Sequence, residues 1–185
     1  TKRHDARNVA LDVLTAVEKG GFLQTALEDR LRQGSVDDRE RRLAHELVMG
    51  VLRWRARLDH ELKPYLRAGF NGTETVLLDC LRLALYQIKF LDRIPTRAAV
   101  HTAVELAGQR RGKGQSRFVN GVLRAYLRGD SPALPKDPVR SIAIEESHPL
   151  WLVMHWVAEL GLAAARSQAK GNNESAPLTI RPQGG

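Results

Sequence analysis

The sequence is short of cysteine, of aromatic residues and of long apolar runs. Cys80 is the single cysteine in 185 residues, so no intrachain disulfide can form, and a reducing compartment fits. Aromatics make up 5% of the chain, which leaves the core to aliphatic side chains. No stretch approaches the roughly 20 apolar residues of a membrane span. The start, Thr1-Lys2-Arg3-His4-Asp5, lacks the apolar segment of a secretory signal. These absences exclude a disulfide-stapled fold and a membrane helix, and the expected location is the cytoplasm.

Strand patterning is scarce as well. Val9, Ala10, Val13, Leu14 and Val17 recur at helical spacing between Asp5 and Lys19, and Gly20-Gly21 ends the run. A second short helix is expected over Phe22 to Arg32. Ser35 or Asp37 is the expected N-cap of a third, which carries Leu43, Leu47, Val48 and Val51. A further turn, Leu58 to Leu66, includes Pro64. Thr73 to Phe90 is apolar around most of its circumference and belongs in the middle of a bundle. Pro95 suits a first helical position. Gly108 to Gln115 reads as a basic loop punctuated by glycines, and Phe118 to Leu127 as the last strong helix. Three prolines between Gly129 and Pro138 read as a linker. Two helices, Val139 to Glu146 and Pro149 to Leu160, are expected beyond it, with a third over Ala163 to Lys170. Leu178 to Arg181 could begin a strand. The fold class is all-α, with residues 1–130 a helical bundle, 131–175 linker helices, and 176–185 the start of another domain or a tail.

What the chain does have is positive charge. Lysine and arginine number 29 against 21 acids, a net +8. Between Glu105 and Arg128 six bases face one acid, whereas Asp37 to Asp59 is nearly balanced. An arginine-rich excess favours a polyanion as partner; the alternative is a merely solvated surface. The segment Arg110-Arg111-Gly112-Lys113-Gly114-Gln115-Ser116-Arg117 combines cations, glycines that let a ligand approach, and a following helix start that favours anions. Lys2, Arg3, Arg7, Arg110, Arg111, Lys113, Arg117 and Arg124 are therefore the candidate RNA-contacting residues.

Other chemistry finds little support. The glycines at 108–114 lack the spacing of a phosphate-binding loop, and Gly114 stands where a serine or threonine would hold magnesium. No glycine-rich turn follows a strand, so no cofactor pocket is expected in this chain. Cys80 lies mid-helix among Leu77, Leu81 and Ala84 and reads as an inert core thiol. His4, His45, His60, His101, His148 and His155 show no metal-binding spacing, and neither a metal site nor a catalytic residue is expected. His45 and His101 read as core-edge residues, His148 as a helix cap, and Trp54, Trp151 and Trp156 as packing anchors.

Several segments resemble a known family. Glu46-Leu47-Val48-Met49-Gly50-Val51-Leu52-Arg53 followed by Leu58-Asp59, Leu81-Arg82-Leu83-Ala84-Leu85-Tyr86-Gln87, Ala103-Val104-Glu105-Leu106-Ala107 and Phe118-Val119-Asn120-Gly121-Val122-Leu123-Arg124 are similar, in order and spacing, to NusB-like domains. His148-Pro149-Leu150-Trp151 and Asn172-Asn173-Glu174 with Ala176-Pro177-Leu178-Thr179-Ile180-Arg181 resemble the linker region of the RsmB/Sun (Fmu) family of 16S rRNA cytosine-C5 methyltransferases. The resemblance implies a seven-helix NusB-like bundle that binds ribosomal RNA, a short helical linker, and a catalytic domain using S-adenosylmethionine and a cysteine nucleophile. Neither the cofactor motif nor that cysteine stands in this chain, so it is expected to bind 16S rRNA without catalysing by itself, with its own methyltransferase domain as a further partner. A NusB-type antitermination factor and a helical protein–protein adaptor are the alternatives. Asn120 and Gly121 read as packing residues, one bonding backbone at a helix junction and the other permitting close helix approach.

Overall fold

The computed structural model describes residues 5–33 and 37–174. Ten α-helices and one short 3-10 turn account for its regular structure, and no strand occurs among the described residues. Lys2, Arg3, Ser35 and the expected strand at Leu178 lie outside them. Two compact units divide between Ala133 and Leu134.

The first unit holds α1 (Ala6–Glu18), α2 (Leu23–Gln33), α3 (Asp38–Arg53), α4 (Arg55–Leu62), the 3-10 turn Lys63–Tyr65, α5 (Thr75–Phe90), α6 (Thr96–Arg111) and α7 (Lys113–Arg128). The helix starts follow local chemistry. Asp5 caps α1, its carboxylate accepting from the Arg7 and Asn8 amides at 3.1 and 2.9 Å. Asp37 caps α3 through the Glu40 amide at 2.8 Å. The Glu40 carboxylate in turn accepts from the Ala6 amide at 2.6 Å, so one helix start secures another. Pro95 sits one residue before its expected place, at the cap, with Thr96 the first helical residue.

The patterning of α5 dictates the architecture. Every residue from Val76 to Gln87 is buried, because α1, α3, α4, α6 and α7 surround it. Cys80 lies there with no exposed surface. Burial, with help from the neighbouring Asp79 carboxylate, pushes its thiol up to about 12, which makes it a poor nucleophile. Gly50 of α3 faces the Tyr86 ring so closely that a Cβ would overlap it, and the Tyr86 hydroxyl donates to Glu46. Gly50→Ala is therefore expected to destabilise the unit by about 1–3 kcal/mol, read by urea unfolding, because the helices must part to admit one methyl.

The buried charged residues Glu61, Asp79 and Arg82 each face an opposite charge. Arg82 of α5 donates to both Asp59 oxygens at 2.7 and 2.9 Å and to Asp79 at 2.9 Å. Burial raises the Asp79 carboxyl above its ordinary value, outweighing the pull of Arg82, and leaves its second oxygen without a partner. Glu61, fully buried, is flanked by Lys89 at 2.8 Å and Arg57 at 3.0 Å. Burial opposes its charge, yet the two cations win and hold its carboxyl below the usual range.

Gly108 to Gln115 is not a loop. α6 continues through Gly108 to Arg111, and Gly112, at φ 87°, alone separates it from α7. Gly108 is a packing glycine: a Cβ there would strike the Ser116 hydroxyl, which donates to the Val104 carbonyl at 3.1 Å.

The second unit contains α8 (Pro138–Glu145), α9 (Leu150–Leu160) and α10 (Leu162–Gly171), around a small core of Ile142, Ala143, Val153 and Ala169. Asp137 caps α8. His148 does serve a helix end: its Nε2 meets the Ala169 carbonyl of α10 at 2.9 Å, and its ring stands edge-on to Trp156. Trp54 stacks on Phe90 at 4.7 Å, as a packing anchor should. Trp151 does not, being 69% exposed on α9. His45 and His101 are exposed rather than at the core edge. No described helix is long and apolar enough to cross a membrane.

Candidate nucleic-acid interface

α7 carries no acidic residue, and its charge and its apolar residues lie on opposite sides. Val119, Val122 and Leu123 face the core. Lys113, Arg117, Arg124 and Arg128 are spaced by four, seven and four residues, which at 3.6 residues per turn places them along one exposed stripe. At 1.5 Å per residue the stripe is about 22 Å long. None of the four makes an ion pair among the described residues. These side chains can meet an anion without first breaking a bond to another described residue.

Of the eight residues expected from sequence, Lys2 and Arg3 lie outside the described residues, and the structure divides the other six. Lys113, Arg117 and Arg124 stand together on the stripe. Arg110 instead points to α1, pairing with Asp12 at 2.5 Å and donating to Asn8 at 3.2 Å. Arg111 pairs with Glu74 at 2.6 Å. Arg7 donates through Nε to Gln87 at 2.9 Å, and buried Gln87 donates to the Leu83 carbonyl at 2.7 Å. These three arginines join elements of the bundle rather than the stripe. Arg128 belongs to the stripe although the sequence reading left it out. Helical spacing from Lys113 would have included it, had the helix start been placed there.

Two grooves flank the α7 stripe. On one side Val100, Val104 and Leu127 form an apolar floor between α6 and α7, with Arg97, Arg124 and Asn120 beside it. Among the described residues the Asn120 side chain makes no hydrogen bond, and Gly121 has nothing within 4 Å of an added Cβ, so neither plays the packing part expected of it. On the other side Arg67, Arg117 and Arg128 overlook a groove that holds Tyr65 and Phe118. No carboxylate lines either groove. A helix ridge of unpaired cations between two such grooves can hold a phosphate backbone by charge and admit a base beside it. Among the described residues no three of His, Cys, Asp and Glu gather as metal ligands would.

Comparison with known proteins decides the family. The NusB family pattern matches residues 4–128. The chain belongs to the NusB family. The NusB transcription antitermination protein of Listeria innocua is 32% identical over 123 residues, which cover 66% of this chain and 93% of that protein. T. maritima NusB superposes with a TM-score of 0.61 at 26% identity, covering 71% of this chain and 94% of that one. The similarity to a Bacillus subtilis protein, named probable ribosomal RNA small subunit methyltransferase B, extends further. It is 39% identical over 167 residues, 89% of this chain, but the chain spans only 37% of that protein's length. The α7 stripe lies within the NusB-matched stretch, and α8 to α10 lie beyond it.

Proposed function

We propose that this chain is the RNA-binding N-terminal module of a 16S rRNA cytosine-C5 methyltransferase of the cytoplasm, without catalytic activity of its own. The observation that carries this reading is the reach of the similarity. The match to the small-subunit rRNA methyltransferase extends over 167 residues, beyond the stretch shared with stand-alone NusB. The α7 stripe supplies the means. Lys113, Arg117, Arg124 and Arg128 take successive phosphates and orient the RNA, while base chemistry belongs to a domain outside this chain. S-adenosylmethionine would serve that domain. The residues here do not fit it: the described part has no strand to present a glycine-rich turn, and arginines rather than a ribose-binding carboxylate line the grooves.

Binding of a 16S rRNA fragment, measured as salt rises, tests the reading. Four phosphate contacts on single-stranded RNA should give a log–log slope of about −3. A flat salt response, or no binding at low salt, would overturn it. RNA binding that appears only with an added transcription or ribosomal protein would favour an antitermination factor instead.

A further inference from the structure

α6 buries three alanines, Ala99, Ala103 and Ala107, and leaves two larger residues, Val100 and Val104, only partly covered. With Leu127 of α7, which is 44% exposed, these valines floor the groove between the two helices. Its rim is cationic. Arg97 and Arg124 are exposed and make no ion pair among the described residues, and no described carboxylate lines the groove. The Asn120 amide, without a hydrogen bond among those residues, can meet a peptide backbone. From Arg97 to Val104, and from Asn120 to Leu127, each wall runs about 10 Å, the rise between positions i and i+7 of a helix.

These features choose among occupants. Apart from the small His101 imidazole no ring lines the groove, so a base has little to stack on. A second copy of this chain, itself at net +8, would bring cations against cations. A helix with apolar residues on one stripe and acids beside them satisfies both floor and rim. We propose that the α6–α7 groove docks an acidic amphipathic helix of a partner protein. Its apolar residues at i, i+4 and i+7 lie on Val100, Val104 and Leu127, and its carboxylates meet Arg97 and Arg124. The proposal does not rest on the RNA-binding reading.

The probe is a synthetic stapled helix with leucine at i, i+4 and i+7 and glutamate on either side of them. Two counterparts carry serine for the leucines or lysine for the glutamates. By fluorescence anisotropy the unaltered chain should bind the leucine–glutamate helix at least about tenfold more tightly than either counterpart. Leu127→Ser should weaken that binding about tenfold. Arg97→Ala should weaken it about threefold. Arg97 stands in the first turn of α6, where the helix dipole does not favour a cation, so this variant guards against a folding defect in the other. Melting temperatures verify that both are folded. Binding that either counterpart matches, or that neither folded variant weakens, would overturn the docking site. An oligouridine affinity that falls as far as the peptide affinity would do the same, by making the groove part of an RNA surface. Self-association that Leu127→Ser abolishes, with no peptide binding, would overturn it in favour of a second copy. The salt series on 16S rRNA tests RNA binding separately, so either reading can fail alone.

Discussion

Replacing Lys113, Arg117, Arg124 and Arg128 together by alanine is expected to flatten the salt dependence of RNA binding by about 3 log units per log unit of salt, and to weaken low-salt binding at least about a hundredfold. The expectation comes from counting phosphates. Each cation that neutralises one releases condensed counterions, and each that is removed takes its share of the slope with it. All four residues are exposed and unpaired among the described residues, so thermal unfolding should be nearly unchanged, which separates lost binding from lost structure. The contrasting variant is Arg110→Ala with Arg111→Ala. Those side chains are engaged by Asp12 and Glu74, so their loss should leave the slope nearly intact. The Arg110 change should instead cost about 1 kcal/mol of stability, since it unfastens α6 from α1. Filter binding or fluorescence anisotropy across a salt series distinguishes the two sets. The α7 stripe is refuted as the contact surface if the second set flattens the slope and the first does not.

The largest effect on stability should come from Arg82. Arg82→Ala leaves Asp79 buried and Asp59 partly buried with no guanidinium between them, which is expected to cost about 3–5 kcal/mol. A domain of this kind is stable by only about 5–15 kcal/mol, so the variant stands near the edge of folding. Asp79→Asn should be far milder, because Arg82 keeps its two bonds to Asp59. The pH response separates the two carboxylates. Asp79 has its proton held more tightly in the folded state than in the unfolded chain, chiefly by burial. Its contribution is therefore full below the ordinary aspartate range and is lost as pH rises through the raised folded value. Glu61 behaves oppositely: its lowered carboxyl contributes above the ordinary glutamate range and loses that contribution as pH falls. Urea unfolding of Asp79→Asn across acidic pH should lack the Asp79 component and retain the Glu61 one. An unaltered pH profile would show that Asp79 does not titrate as its burial requires.

The helices were legible in the sequence because each is written locally. The all-round apolar pattern of Thr75–Phe90 specified a central helix, and Asp37 and Asp5 sit where their carboxylates meet free amides. What misled was glycine. Gly108, Gly112 and Gly114 look alike in a string, yet one is a packing contact within α6, one is the turn, and one lies in the first turn of α7. Only the partner across the helix pair, Ser116, tells the first from the second. The site was half legible for a related reason. Charge density marked residues 105–128, but which cations remain available depends on carboxylates far away in the chain. Asp12 is 98 residues from Arg110 and Glu74 is 37 from Arg111. No spacing rule could have subtracted those two. Arg67 and Tyr65 were missed because only the packing of α7 brings them beside Arg117.

The three tryptophans divide usefully between the two units. Trp54 belongs to the bundle and is shielded by Phe90, while Trp156 is half-buried beside His148 in the C-terminal unit and Trp151 is largely exposed on the same helix. Emission from a chain keeping only Trp54 reports the melting of the bundle, and one keeping only Trp156 reports the small helical unit. The protein thus contains its own optical probes for whether the two parts unfold together or in turn.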